Sequence, residues 1–252
     1  MPLLVREAAP HVVLITIDNQ AKRNAMSRSM LAELADVWDR LAADNACRAI
    51  VVTGAGDKGF CAGADIGGDL TASPEMAATI NRSLLKTRAF PKPIIAAVNG
   101  DCAGGGVELL LSTDIRGAAP HARFGLPEVR FAIYPFGGAT VKLIQQIGYV
   151  HAMDLILTGR LVDAETAARL ALVNEIVPAA DLLDWAVAKA NLIAANSPAA
   201  VQAVKTQISS TIADHAQARE ALDQELGDRV RASADFNEGV AAFLEKRKPD
   251  YR

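Results

Sequence analysis

Glu108 and Glu128 stand twenty positions apart, and each follows glycine closely: the first in Gly104-Gly105-Gly106-Val107-Glu108, the second in Phe124-Gly125-Leu126-Pro127-Glu128. A carboxylate can accept or deliver a proton, and a helix start leaves backbone N–H groups without intrahelical acceptors. The two together can bind an oxyanion and move protons around it. Each glycine costs a helix about 1 kcal/mol relative to alanine, so three at a helix start need a physical reason. Either a ligand approaches the first-turn N–H groups closely, or two backbones pack tightly there. With a rise of about 1.5 Å and a turn of about 100° per residue, Glu108 lies roughly 4.5 Å beyond Gly105 on a neighbouring face. An anion held at Gly105 is then within its reach.

Two further glycine-rich segments precede this one. Gly54-Ala55-Gly56-Asp57-Lys58-Gly59 matches GxGxxG after an apolar run, the fingerprint of a dinucleotide fold. That fingerprint requires a helix to open inside it, whereas Phe60-Cys61-Ala62-Gly63-Ala64-Asp65-Ile66-Gly67-Gly68 continues rich in glycine and irregular, which argues against a nicotinamide site. The stretch Cys61 to Asp65 reads either as a plain turn or as a loop offering backbone donors, with the N–H of Ala64 free to point into a cleft.

The elements that must hold these residues alternate. Val12 to Ile17 and Ala49 to Thr53 are β-branched apolar runs expected to be buried strands. Between them Ser27 is placed to cap a helix carrying Leu31, Leu34, Val37, Trp38 and Leu41 at helical spacing. Ser73-Pro74-Glu75 starts a helix expected to reach about Phe90, followed by a strand at Ile94 to Val98, a helix from Gly105 to about Ser112, and a short strand near Ile115. After Gly138 the pattern turns helical, with Asp163 capping 164–170 and a last strand near Val173 to Val177. Beyond Pro178 only helices are expected, at 181–195, 198–226 with a possible break, and 234–246. The fold class is therefore α/β, with an all-helical tail.

Composition narrows the function. The chain has 252 residues, 51% hydrophobic and 22% charged, with net charge −3. No global basic field invites nucleic acid or an anionic membrane. Glu33, Asp36 and Asp39 make the first helix acidic, against RNA binding. Cys47, Cys61 and Cys102 show neither disulfide nor zinc spacing, so no metal is expected. The four histidines accompany no nucleophile motif. Without a signal-like start or a long apolar span, a cytoplasmic protein is expected.

Taken together, Gly63-Ala64-Asp65, Lys92-Pro93-Ile94-Ile95-Ala96-Ala97-Val98-Asn99-Gly100, Gly104-Gly105-Gly106-Val107-Glu108-Leu109 and Phe124-Gly125-Leu126-Pro127-Glu128 resemble the enoyl-CoA hydratase/isomerase family, the crotonases. Supporting matches run from Lys22-Arg23-Asn24-Ala25 to Glu238 through Arg247. The resemblance implies a spiral of ββα units over 1–195 and a C-terminal helical trimerisation region over 196–252, in a homotrimer or dimer of trimers. It implies an oxyanion hole from the N–H groups of Ala64 and Gly105, and a coenzyme A groove lined by Lys22, Arg23, Ala25, Ala62, Gly63, Asp65 and Ile66. Phe243 and Lys246 would reach a neighbouring subunit's nucleotide. The implied substrate is an acyl-CoA thioester, with no separate cofactor.

Because such folds host several reactions, the carboxylates choose among them. Hydratases of the family carry both glutamates, with Glu108 in the position that activates water and Glu128 in the one that protonates the α-carbon. The expected reaction is hydration of a 2-enoyl-CoA to a 3-hydroxyacyl-CoA; a Δ3,Δ2-enoyl-CoA isomerase using mainly Glu128 is the alternative, and a non-catalytic acyl-CoA binder a third reading that retention of both glutamates disfavours. One departure stands out: where hydratases commonly show Pro-Gly-x-Gly-Gly, this chain has Pro135-Phe136-Gly137-Gly138-Ala139. Phe136 is expected to wall the acyl pocket.

Overall fold

Strands that are apolar on every residue must be covered on both faces, and this decides the architecture. In the computed structural model, which describes residues 3–65 and 73–251, the elements run β1 (Leu3–Ala9), β2 (Val12–Ile17), α1 (Arg28–Ala43), β3 (Ala49–Gly54), β4 (Gly59–Cys61), α2 (Pro74–Ser83), β5 (Ile94–Val98), β6 (Asp101–Ala103), α3 (Gly105–Leu110), β7 (Ile115–Ala118) and β8 (Arg123–Gly125). There follow α4 (Ala139–Ile147), α5 (Tyr149–Thr158), β9 (Leu161–Asp163), α6 (Ala164–Arg169), β10 (Glu175–Ile176), α7 (Leu182–Ala194), α8 (Pro198–Arg231) and α9 (Ala234–Leu244). Short 3-10 turns cover Gln20–Lys22 and Pro127–Phe131.

One sheet has the order β1-β2-β3-β5-β7-β10, parallel except for the β1–β2 hairpin. A second has the order β4-β6-β8-β9, with only β8–β9 antiparallel. The sequence β3-β4, β5-β6, β7-β8 thus steps through both sheets in the same order, one strand in each, before the chain turns helical. Side chains sort by parity: Ile50 and Val52 join the core holding Trp38, whereas Ala49 and Val51 face Ala186 and Ala190 of α7. Asn99 pins successive corners, its Oδ1 accepting from the Gly54 N–H at 3.0 Å and its Nδ2 donating to Gly54 O at 2.8 Å.

Several expected bounds shift for local reasons. The segment after Gly54 opens no helix and instead enters β4, so the GxGxxG match is a strand-to-strand corner. α2 ends at Ser83 rather than near Phe90. Its last carbonyls are taken from elsewhere: Trp38 Nε1 donates to Ser83 O at 2.8 Å, Ser112 Oγ to Leu84 O at 2.6 Å and Lys142 Nζ to Leu85 O at 2.6 Å, while Leu85 adopts a left-handed φ of 49°. α3 stops at Leu110, the strand expected over Val173 to Val177 is only Glu175–Ile176, and α8 is continuous through Arg231. The tail packs on its own chain, with Gly239 of α9 so close to Phe131 O that an added Cβ would lie 2.1 Å away.

Candidate active site

The loop after β4 is held by its neighbours rather than by its own secondary structure. Met26 N–H donates to Gly63 O at 2.8 Å and Met26 O accepts from Asp65 N–H at 2.9 Å, forming a parallel bridge around Ala64. In such a bridge the residue between the two bonded ones turns its own N–H away from the partner. Gly63, at φ +93°, makes the bend, and a Cβ there would sit 3.0 Å from Gly105 N. Conversely, a Cβ on Gly105 would sit 3.6 Å from Ala64 N. The structure therefore brings Ala64 and Gly105 together, and among the described residues neither N–H has a protein acceptor.

The three glycines at 104–106 do different things. Gly104 has φ +55°, and a Cβ on it would come within 3.1 Å of Glu128 Oε1. Gly105 leaves room beside the free N–H pair. Gly106 packs backbone on backbone: its Cβ would be 2.0 Å from Cys61 O. Tight packing thus explains Gly106, while Gly105 is the residue whose small size leaves its N–H open beside Ala64. With six residues, α3 is too short for a strong macrodipole, so anion binding here rests on individual N–H groups.

Glu108, one turn after Gly105 in α3, and Glu128, whose Oε1 would lie 3.1 Å from a Cβ on Gly104, stand close enough for the charge of one to act on the other. Glu108 is buried, and its Oε1 accepts from Ala139 N–H at 3.2 Å, with the Gly137 backbone N–H nearby also favouring the charged form. Burial raises its pKa, while those backbone N–H groups and the charge of Lys86 pull it down. Glu128 sits in the 127–131 turn with Oε2 enclosed and, among the described residues, without a hydrogen-bond partner. Burial raises its pKa too, and the charge of Glu108 raises it further, with no compensating donor besides its own N–H. Two carboxyl groups so placed cannot both ionise easily, and the proton stays on the less supported one, Glu128.

A polar network that sequence reasoning missed lies behind Glu108. Lys86, buried, pairs with Glu220 at 2.7 Å and Asp223 at 2.8 Å on α8. Asp223 also accepts from Tyr134 Oη at 2.5 Å and from Thr140 Oγ1 at 3.1 Å. Lys142, buried beside them, donates to Leu85 O and Ser112 Oγ, and burial pushes its ammonium down to about 7. These contacts cross large sequence separations; the only local sign was a lysine set among Leu84, Leu85 and Phe90.

The other expected site residues fall into three places. Lys22, Arg23 and Ala25 line up against the 62–65 loop: Ala62 N–H donates to Arg23 O at 3.1 Å, Lys22 pairs with Asp65 at 2.6 Å, and Arg23 pairs with Asp101. Ile66 lies outside the described residues. Phe243 packs edge-on against Phe131 at 5.1 Å, beside the turn that carries Glu128, and Lys246 follows it in a left-handed conformation. Phe136 keeps a backbone open to any residue, and its ring lies on Gly227 of α8, edge-on to Tyr134 at 5.4 Å and under the Arg231 guanidinium at 4.7 Å. It lines a groove between α2 and α8. Among the described residues no cluster of His, Cys, Asp or Glu is placed to hold a metal, and no helix is long and apolar enough to cross a membrane.

A family model for enoyl-CoA hydratase/isomerase matches residues 7–252. The chain belongs to that family. Among its relatives, the enoyl-CoA hydratase EchA19 of Mycobacterium tuberculosis is 38% identical, over 98% of this chain and 95% of the relative. The 2,3-dehydroadipyl-CoA hydratase of Escherichia coli is 35% identical, over 100% and 99%. The crystal structure of carnitinyl-CoA hydratase from Mycobacterium avium superposes with a TM-score of 0.91 at 34% identity, covering 100% of this chain and 98% of that one. The two-sheet spiral with its long C-terminal helix is thus the crotonase fold, as the family resemblance implied.

Proposed function

We propose that the protein is a hydro-lyase that adds water reversibly across the double bond of a 2-enoyl-CoA, giving a 3-hydroxyacyl-CoA. The observation that carries this reading is the placement of a buried Glu108 and a half-buried Glu128 with one enclosed oxygen, unequal in hydrogen bonding, beside a pair of backbone N–H groups with no protein acceptor among the described residues. The thioester carbonyl accepts from Ala64 and Gly105. Glu108, whose carboxylate form the Ala139 N–H supports against the cost of burial, takes a proton from water as the water oxygen bonds to the β-carbon. The π electrons of the double bond shift to the carbonyl oxygen as an enolate, which the two N–H groups stabilise; one such donor is worth about 3 kcal/mol. The enolate then collapses and the α-carbon takes the proton of Glu128. The balance is one water added, with one proton left on Glu108 that must pass back to Glu128 before the next turnover.

Lys22, Arg23, Ala25, Ala62, Gly63 and Asp65 are assigned to the coenzyme A moiety in this reading, with Phe243 and Lys246 serving a neighbouring subunit of a trimer or dimer of trimers. Relatives carry hydratase names with different acyl groups, so membership alone leaves the acyl chain open. The test is turnover across a panel of 2-enoyl-CoA esters, followed by loss of the conjugated absorbance. Turnover that disappears in Glu108→Ala and Glu128→Ala is expected; silence on every chain length would sink the proposal.

A further inference from the structure

Between α2 and α8 runs a groove of about 640 Å³, a volume within the usual range for a small-molecule site. One wall is apolar, from Met76, Ala77 and Ile80 of α2. The other is polar, from Glu220, Gln224 and Asp228, which recur every fourth residue and so share one face of α8. The groove reaches the neighbourhood of Glu108 at Phe136 and Lys86. Phe136 precedes Gly137, whose added Cβ would lie 2.4 Å from Glu108 Oε2, and the Lys86 Cγ would lie 3.1 Å from a Cβ on Gly138. A thioester whose β-carbon faces Glu108, as in the function proposed above, has this groove in front of its remaining carbons.

The polar wall is biased toward accepting hydrogen bonds. Lys86 already faces Glu220 and Asp223, and Arg231 faces Asp228 at 2.8 Å. Within the lining, Lys86 and Arg231 stand against Glu220 and Asp228, 2 − 2 = 0, and both cations are already paired. Both amides turn nitrogen toward carboxylate, Asn81 Nδ2 to Glu220 at 2.8 Å and Gln224 Nε2 to Asp228 at 2.9 Å. That orientation is enforced, since an amide oxygen opposite a carboxylate would be repelled, and it leaves Asn81 Oδ1 and Gln224 Oε1 as acceptors.

We propose that this groove selects an acyl chain bearing a hydrogen-bond donor beyond the β-carbon, a hydroxyl or an ammonium, seated on α8 at Gln224 with its methylenes along α2. A terminal carboxylate meets two cations that are already paired and amide nitrogens already turned to Glu220 and Asp228, and is disfavoured. This rests on the hydratase reading for the placement of the thioester, and the test separates the two.

The experiment compares kcat/KM of the full chain on four 2-enoyl-CoA esters of equal length, ending in methyl, hydroxyl, ammonium or carboxylate. The hydroxyl and ammonium esters are expected to exceed the methyl ester by about tenfold, and the carboxylate ester to fall below it, since one added hydrogen bond to Gln224 Oε1 is worth about 1 kcal/mol or somewhat more. In Gln224→Leu the hydroxyl preference collapses to within about twofold, and in Gln224→Lys the carboxylate ester gains. A methyl ester handled as well as the hydroxyl ester, or a preference unchanged in Gln224→Leu, overturns the assignment. If no ester turns over, the hydration reading fails, and calorimetric affinities of hexanoyl-CoA and 6-hydroxyhexanoyl-CoA still decide the groove: tighter binding of the hydroxylated chain supports it, and equal affinity overturns it.

Discussion

Around Glu108 and Glu128 the walls are main chain; along the groove between α2 and α8 they are side chains. At the first place Gly63, Gly104, Gly105 and Gly106 bring backbones close to each other and to the carboxylate of Glu128. At the second, α2 and α8 face each other through Met76, Gln224, Asp228 and Arg231. Main-chain donors are fixed by the fold and cannot be exchanged by substitution, whereas residues on one helix face can change without moving the helix. Under the proposed function, oxyanion binding rests on main chain and acyl choice on side chains, a division that would let one fold serve the different acyl groups for which its relatives are named.

The comparison breaks most visibly at the carboxylates. Glu108→Gln and Glu128→Gln keep size and shape, so both variants should fold while kcat drops by about 10² to 10⁴, the usual worth of a positioned acid or base, measured on crotonyl-CoA. Next comes Gly106→Ala. Its methyl would collide with Cys61 O at 2.0 Å, forcing α3 from the 61–65 loop. Overpacking of this kind costs about 1–3 kcal/mol, read as a fall in the urea midpoint, and should lower kcat with it.

A pH profile sharpens the distinction between the two glutamates. Both carboxyls titrate above the ordinary range. Rate should fall on acidification as Glu108 gains a proton and on alkalinisation as Glu128 loses one, giving a bell near neutrality whose alkaline limb vanishes in Glu128→Gln. For stability the sign is opposite to that of a salt-bridged acid: a raised carboxyl binds its proton more readily in the folded state. The cost of ionising Glu128 is therefore present above its folded pKa and is relieved as pH falls toward the unfolded value of about 4.3, a slope that Glu128→Gln should flatten. The smallest effect belongs to the groove. Phe136→Leu loses the ring contacts with Tyr134 and Arg231, about 0.5–1.5 kcal/mol, while turnover of a short acyl chain changes only a few-fold.

The parts legible in the sequence were those with local causes. β2, β3 and β5 announce themselves by continuous apolar runs, α1 and α6 by caps at Ser27 and Asp163 that the structure retains. Glycine spacing marks Gly105 and Glu108, whereas the pairing of Ala64 with Gly105 comes from the family resemblance. β1 was missed because Arg6 and Glu7 interrupt its apolar character at the sheet edge, and β4, β6, β8 and β9 because three residues cannot display a period. The early end of α2 and the Lys86–Asp223–Tyr134 network depend on partners scattered along the chain, which no spacing encodes. Phe136 was legible as a departure from the family pattern, but its stacking under Arg231 was not.

The division of labour between Glu108 and Glu128 is tested most directly by hydration of crotonyl-CoA in ¹⁸O-labelled D₂O, with the product read by mass spectrometry for the protein and its two glutamine variants. The account predicts one ¹⁸O at the β-carbon and one deuterium at the α-carbon, with turnover at least about 100-fold slower in either variant. Product formed at the unaltered rate by either variant, or a migrated double bond carrying no ¹⁸O, would contradict it.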